Sequence, residues 1–136
     1  MLTTPLCDAL GIDLPIWNAG MGGGGAGAEL AAAVSEAGGL GVLGAGGLPA
    51  PLVREEIARL RTLTDWPFGV NAIIALLDDD HVQATLDAEA DVLVLFWGDA
   101  TPFVERAHAA GTKVVVQVGS AQEAEAEAVL AGRAVA

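Results

Sequence analysis

A single cysteine, no tyrosine and an aromatic content of 4% deprive this 136-residue chain of the usual staples of a small secreted domain. Cys7 has no intramolecular partner, so a disulfide framework is excluded, and a reducing cytoplasm is the compartment this composition fits. Basic residues are scarce too: 6 Lys+Arg against 18 Asp+Glu give a formal charge of −12. That balance opposes a broad phosphate-tracking surface, so no nucleic-acid partner is expected. Long apolar runs are missing, each being broken by Gly, Pro or charge, so no membrane span is expected. The N-terminus, MLTTPLCDALGIDLP, has no basic residue ahead of an apolar core and does not read as a signal peptide. Nor is there a G-x-S-x-G, C-x-x-C or H-E-x-x-H motif.

What is present is apolar and small. Apolar residues make up 53% of the chain and charged ones 18%, which excludes disorder. One domain over residues 1–136 is expected, a size at which about two-thirds of the unfolded surface is buried. Strand-like and helix-like segments alternate. Apolar runs at 15–19, 40–44, 68–73, 92–97 and 113–118 read as strands, the fourth buried on both faces. Between them, Leu30, Ala33, Val34 and Ala37 share a helical stripe, as do Val53, Ile57 and Leu60. Gly38 sits at a helix C′ position, and Asp78 opens a helix whose first turn is acidic. Pro102 opens the next helix, ended by Gly111. Ser120-Ala121-Gln122-Glu123 is a capping box for a helix reaching Ala131, with Gly132 behind it. Arg133 to Ala136 then resemble the start of a sixth strand.

Five βα units imply a parallel sheet. Pattern and length alone favour a five-stranded doubly wound sheet. The alternative is part of a TIM (β/α)8 barrel, which needs about 250 residues when whole. Either way, ligands bind at the carboxyl ends of the strands. Gly20-Met21-Gly22, Gly44-Ala45-Gly46, Asn71, Trp97-Gly98-Asp99 and Gln117 to Ser120 are therefore the candidate positions. Asn71 and Gln117 stand out as neutral amides ending apolar strands, suited to a flat ring with mixed N–H and C=O edges. The run from Gly20 to Gly27 contains G-x-G-x-x-G at Gly22, Gly24 and Gly27. With no basic residue nearby, close backbone approach to a flat ligand is the better reading than a phosphate grip. Asp78-Asp79-Asp80-His81 matches no metal-site spacing and reads as a solvated helix N-terminus. His108 and Cys7 carry no evident chemistry, and no metal ligand set or general base is expected.

Several blocks together resemble a known family. Pro15–Met21, Glu29–Gly41, Arg54–Ile57, Leu63–Asp65, Pro67–Asn71, Phe96–Asp99, His108–Gly111 and Gln117–Ser120 are similar, in order, to the opening of nitronate monooxygenases, formerly 2-nitropropane dioxygenases. FMN-containing enoyl-ACP reductases share the A-V-S-E-A-G-G-L-G and P-F-G-V-N blocks and are the close alternative. The resemblance implies an FMN-binding TIM barrel, reversing the preference for a doubly wound sheet, with this chain supplying about the first five βα units. It implies FMN as cofactor, held by Ala19, Gly20 and Met21 through backbone groups and by Asn71 and Gln117. It implies an alkyl nitronate or nitroalkane as substrate, with O2 yielding a carbonyl compound and nitrite, and is compatible with a homo-oligomer. The family's catalytic histidine, in a G-G-H segment after the sixth strand, would lie beyond Ala136. So would the phosphate loops after strands seven and eight. Asn18 stands where many relatives have Gln, and Gly20 where many have Pro. The expectation is thus the N-terminal part of an enzyme, incomplete for catalysis. A different class, a non-catalytic half-barrel remnant or interaction module, is the other alternative.

Overall fold

The computed structural model describes residues 2–130. Its helices are α1 (Pro5–Leu10), α2 (Ala28–Glu36), α3 (Ala50–Leu63), α4 (Asp79–Asp87), α5 (Thr101–Ala109) and α6 (Ala121–Leu130). Its strands are β1 (Gly41–Gly44), β2 (Phe68–Ile73), β3 (Val92–Phe96) and β4 (Lys113–Gln117), and a single 3-10 turn, Ile74–Leu76, follows β2. The strands form one parallel sheet in the order β1-β2-β3-β4.

That order decides the architecture. A doubly wound sheet reverses its strand order part-way and carries helices on both faces. Here the order never reverses. Leu43, Phe68 and Val70 bury one face of the sheet with residues of α2 and α3, and Leu93, Leu95 and Val114 bury the same face with residues of α4 and α5. Val42, Val92 and Val94 point the other way, where Cys7, Leu10 and Ile12 cover them. The chain is therefore a run of βα units wound in one sense, the wall of a TIM-type barrel, and the doubly wound alternative is excluded. The short helix α1, which sequence periodicity is too brief to reveal, covers the inward face with Cys7 and Leu10.

The strand expected at 15–19 is reduced to one parallel bridge, Trp17 to Leu40. The reason is chemical. The side-chain amide of Asn18 takes over the next ladder position, donating to the Val42 carbonyl at 2.8 Å and accepting from its N–H at 2.8 Å. The segment thus keeps its place beside β1 while its backbone turns away.

The stripe expected on α2 is also corrected. Ala28, Ala31, Ala32 and Ser35 are buried, whereas Leu30 is exposed and Val34 only half-buried. Helix and strand approach so closely that a Cβ on Gly41 would overlap the Ala31 carbonyl. Only small side chains fit that seam. Within it the buried Ser35 hydroxyl accepts from the Gly41 N–H at 3.0 Å and donates to the Pro67 carbonyl at 2.8 Å. On α3 the expected face, Val53, Ile57 and Leu60, is the buried one.

Ser120 caps α6 as expected, accepting from the Glu123 N–H at 3.2 Å. Glu123 reaches back to the N–H of Gly119 rather than that of Ser120. The expected end of that helix at Ala131, Gly132 and the strand start at 133–136 lie outside the described residues.

Ser35→Ala would strand the Gly41 N–H and the Pro67 carbonyl in a buried seam. A loss of about 1–3 kcal/mol is expected, read as a lower denaturant midpoint at unchanged m value. Gly41→Ala, which forces the seam apart, should cost at least as much.

Candidate functional site

Parallel strands leave their carboxyl ends lined by the loops that follow them, and here those loops converge. Asn71 belongs to the inward-facing set of β2 and is nearly buried, at 9% exposure. Its backbone carbonyl accepts from the Ala45 N–H at 2.9 Å, tying β2 to the loop after β1. Its side chain donates to the Val94 carbonyl at 3.2 Å, the single hydrogen bond it makes among the described residues. Gly20 lies directly against it: a Cβ there would overlap Cβ of Asn71 and come within 2.8 Å of its Oδ1.

The neighbouring glycines extend this backbone-on-backbone layer. A Cβ on Gly44 would overlap the Met21 carbonyl, and one on Gly22 would fall 2.7 Å from the Gly46 carbonyl. Gly44 also donates its N–H to the Ala26 carbonyl at 2.8 Å. Gly20, Met21 and Asn71, separate candidates in the sequence, come together in the structure, with Ala19 exposed beside them.

Gln117 is placed differently. It pairs in register with Phe96, while Asn71 pairs with Val94. By strand alternation both amides face inward, but they sit two strands and two residues apart, roughly 12 Å by the spacings of a sheet. Gln117 is exposed at the end of the edge strand β4, so it does not touch Asn71.

Exposed apolar side chains stand at the same strand ends; Met21 and Trp97 are among the candidate positions in the sequence, whereas Leu76 is not. Trp97 leaves β3 with φ of 54°, stacks on Phe96 with ring centroids 4.4 Å apart, and remains 65% exposed. Met21 and Leu76, also exposed, belong to the loops after the Trp17 segment and after β2. Asp99 serves locally: Thr101 binds its carboxylate, the backbone N–H at 2.9 Å, and these bonds hold Asp99 below the usual carboxylate range.

No phosphate grip emerges from the G-x-G-x-x-G match. The first N–H of α2, at Ala28, is already taken by the Glu56 carboxylate at 3.2 Å. Glu29 beside it pairs with Arg59. The anion position at this helix start is filled from within the chain. His108 is exposed on α5. His81, read as part of a solvated helix start, instead turns inward: its Nε2 lies 2.6 Å from the Leu48 carbonyl. Asp78, beside it, caps α4 by accepting the His81 N–H at 3.0 Å.

A profile of the family described as nitronate monooxygenase matches residues 3–80. The chain belongs to the nitronate monooxygenase family. Among curated members of known name, a nitronate monooxygenase from Paraburkholderia phytofirmans is 44% identical over 92 residues, 68% of this chain and 23% of the relative. A Mycobacterium tuberculosis protein, (3aS,4S,5R,7aS)-5-hydroxy-7a-methyl-1-oxo-octahydro-1H-indene-4-carboxyl-CoA dehydrogenase, is 32% identical over 90% of this chain and 35% of its own length. Among solved structures, FabK from Thermotoga maritima superposes with a TM-score of 0.91 at 36% identity, over 96% of this chain and 42% of FabK. Nitroalkane oxidase from Streptomyces ansochromogenes does so with a TM-score of 0.84 at 30% identity, over 93% of this chain and 46% of that one. This nitronate monooxygenase family chain thus spans less than half of the relatives it matches, and its fold is a partial TIM barrel.

Gly20→Ala in this family member should push Asn71 aside. The expected outcome is a loss of about 1–3 kcal/mol from overpacking, with a displaced Asn71 side-chain amide signal in the NMR spectrum. An unmoved signal at unchanged stability would contradict the close approach.

Proposed function

We propose that this chain supplies the ring-facing part of an FMN-dependent nitronate monooxygenase, an oxidoreductase acting on alkyl nitronates or nitroalkanes with O2. The observation that carries the reading is the layer formed by Gly20, Met21 and Asn71 at the strands' carboxyl ends. It offers backbone groups and one neutral amide, with no charged side chain set among them. Ala19, Gly20 and Met21 would lie along the flavin ring, Asn71 would meet its polar edge, and Gln117 would close the same pocket from β4. Neutral amides bind such an edge without bringing a charge into a dry site. When bound, the flavin would supply the one-electron redox chemistry by which an alkyl nitronate and O2 give a carbonyl compound and nitrite.

The described residues fit the ring and not the phosphate. The start of α2 is occupied by Glu56, and Arg54, Arg59, Arg61 and Arg106 are engaged by Asp87, Glu29, Asp91 and Asp79. No general base is assigned either, because His81 is engaged at both ring nitrogens. The partners proposed are therefore a small-molecule substrate and O2. The cytoplasm is the proposed compartment, supported by the lone and buried Cys7. Among the described residues no helix is long and apolar enough to cross a membrane.

FMN added to the 136-residue chain should bind more weakly than micromolar, and a fluorescence titration giving micromolar or better affinity would contradict this division between ring and phosphate. A chain extended to the length of its relatives should purify yellow and consume oxygen with an alkyl nitronate. A colourless protein that fails to take up FMN would overturn the reading. The likeness to FabK supports a second reading, enoyl-ACP reductase. NAD(P)H oxidation dependent on an enoyl thioester, without nitronate turnover, would decide for it.

A further inference from the structure

His81 is held by two oxygens that can only accept. Its Nδ1 lies 2.6 Å from Oδ1 of Asp78 and its Nε2 lies 2.6 Å from the Leu48 carbonyl. A neutral imidazole carries one N–H, so it satisfies one of these contacts and opposes the other lone pair to lone pair. Both contacts are hydrogen bonds only when the ring is an imidazolium. The side chain is 17% exposed, and with the loop residues Ala45, Gly46 and Gly47 it lines a small cavity beneath the loop after β1.

That loop belongs to the candidate site. Leu48 donates its N–H back to the Ala45 carbonyl at 3.0 Å, Ala45 is bonded to the Asn71 carbonyl, and the Gly46 carbonyl abuts Gly22. A continuous path therefore runs from His81 through Leu48 to the glycine layer against Asn71. We propose that His81 is a positioning residue for this layer: as an imidazolium it clamps the 44–48 loop onto α4, and losing its proton releases the loop. The carboxylate is the stronger acceptor, so the remaining proton stays on Nδ1 and the Leu48 bond is the one lost. The bearing of this clamp on a bound flavin rests on the function proposed above; the clamp itself does not.

The charges around the ring are mostly acidic. Asp78, Asp79, Asp80 and Asp87 lie on α4 or its cap. Arg54 of α3 is drawn to Asp87 and Arg106 of α5 to Asp79, while the loop at 45–48 carries no charge. Burial disfavours the charged ring, but the bonds to Asp78 and Leu48 and the charges of Asp78 and Asp80 outweigh it and raise His81 above its usual value of 6.5. The hydrogen bonds and charge of His81 in turn hold Asp78 below its usual range. A raised histidine stabilises the folded loop fully below the unfolded value and loses that contribution as pH climbs through the folded one. A depressed carboxylate loses its contribution as pH falls through its own folded value. The clamp is closed between the two.

The test is an NMR titration of the 15N-labelled 136-residue chain, with His81→Gln as reference. Gln keeps one N–H donor for Leu48 and cannot titrate. The expected result is an imidazolium at His81 at pH 6.5, identified by the ring signals missing from His81→Gln. The amides of Gly46, Gly47 and Leu48 should shift along the same curve as His81 when pH rises, and His81→Gln should lose that dependence. A neutral His81 ring at pH 6.5, or loop amides that stay still while the ring titrates, would overturn the proposal. The readout needs no flavin, so its failure and that of the proposed function are separable.

Discussion

The hydroxyl of Ser35, fixed between the Gly41 N–H and the Pro67 carbonyl, is the point on which the rest of this structure turns. It joins three elements with one buried oxygen: the helix α2, the start of β1 and the residue before β2. An oxygen can do so only where helix and strand backbones nearly touch, which is why glycine stands at 41 and alanine at 31 and 32. Once β1 is set at that depth, its other end, Gly44, can receive the Met21 carbonyl. The close contact between Gly20 and Asn71 follows from the same placement, one layer further up. Small residues in this chain are thus a structural device before they are a binding device. The close packing that holds α2 to the sheet also leaves bare backbone at the carboxyl ends of the strands.

Much of this was legible in the sequence, and the failures share a cause. The strands β2, β3 and β4 are predominantly apolar runs between turn residues, and their limits fall within a residue of expectation. Helix α3 was readable because Val53, Ile57 and Leu60 are large, so their period declares a face. Helix α2 misled because its buried face is alanine and serine. Hydrophobicity there ranks Leu30 and Val34 above the residues that geometry selects. The Trp17 segment misled in another way, since a side-chain amide finishing a ladder leaves no mark in a periodicity. Helix α1, at six residues, is shorter than any window that could detect it. For the candidate site, Asn71 stands out in the sequence as an amide near the end of an apolar strand, and the structure puts it two residues before the end of β2. Its contact with Gly20 was not readable, because a close approach between segments about fifty residues apart depends on register.

The charge of −12 also looks different once its carboxylates are located. Glu56 occupies the start of α2, Asp78 caps α4, Asp99 binds the first turn of α5, and Glu123 closes the turn before α6. Asp91 accepts from the Phe68 N–H at the base of β2 and pairs with Arg61, whose guanidinium lies over the Phe68 ring. Several acids therefore complete backbone groups that a helix or strand leaves without partners. This use of acid has a consequence for ligands. A helix start already holding a carboxylate meets an incoming phosphate with like charge, which opposes use of the glycine-rich stretch before α2 as a phosphate loop while Glu56 holds the Ala28 N–H.

The inner surface at the strands' ends is consequently neutral by construction. Its polar groups are amides and backbone carbonyls, its exposed apolar side chains are Met21, Leu76 and Trp97 stacked on Phe96, and the four arginines among the described residues pair with acids on the helices and at the base of the sheet. In such surroundings an unpaired charge would be poorly solvated, whereas a planar neutral group can bury its faces and still find donors and acceptors at its edge. On the function proposed above, the surface selects for shape and for edge chemistry rather than for charge. Any anionic portion of the same ligand must find its partners outside this layer, since the residues that would meet it here are bonded to one another.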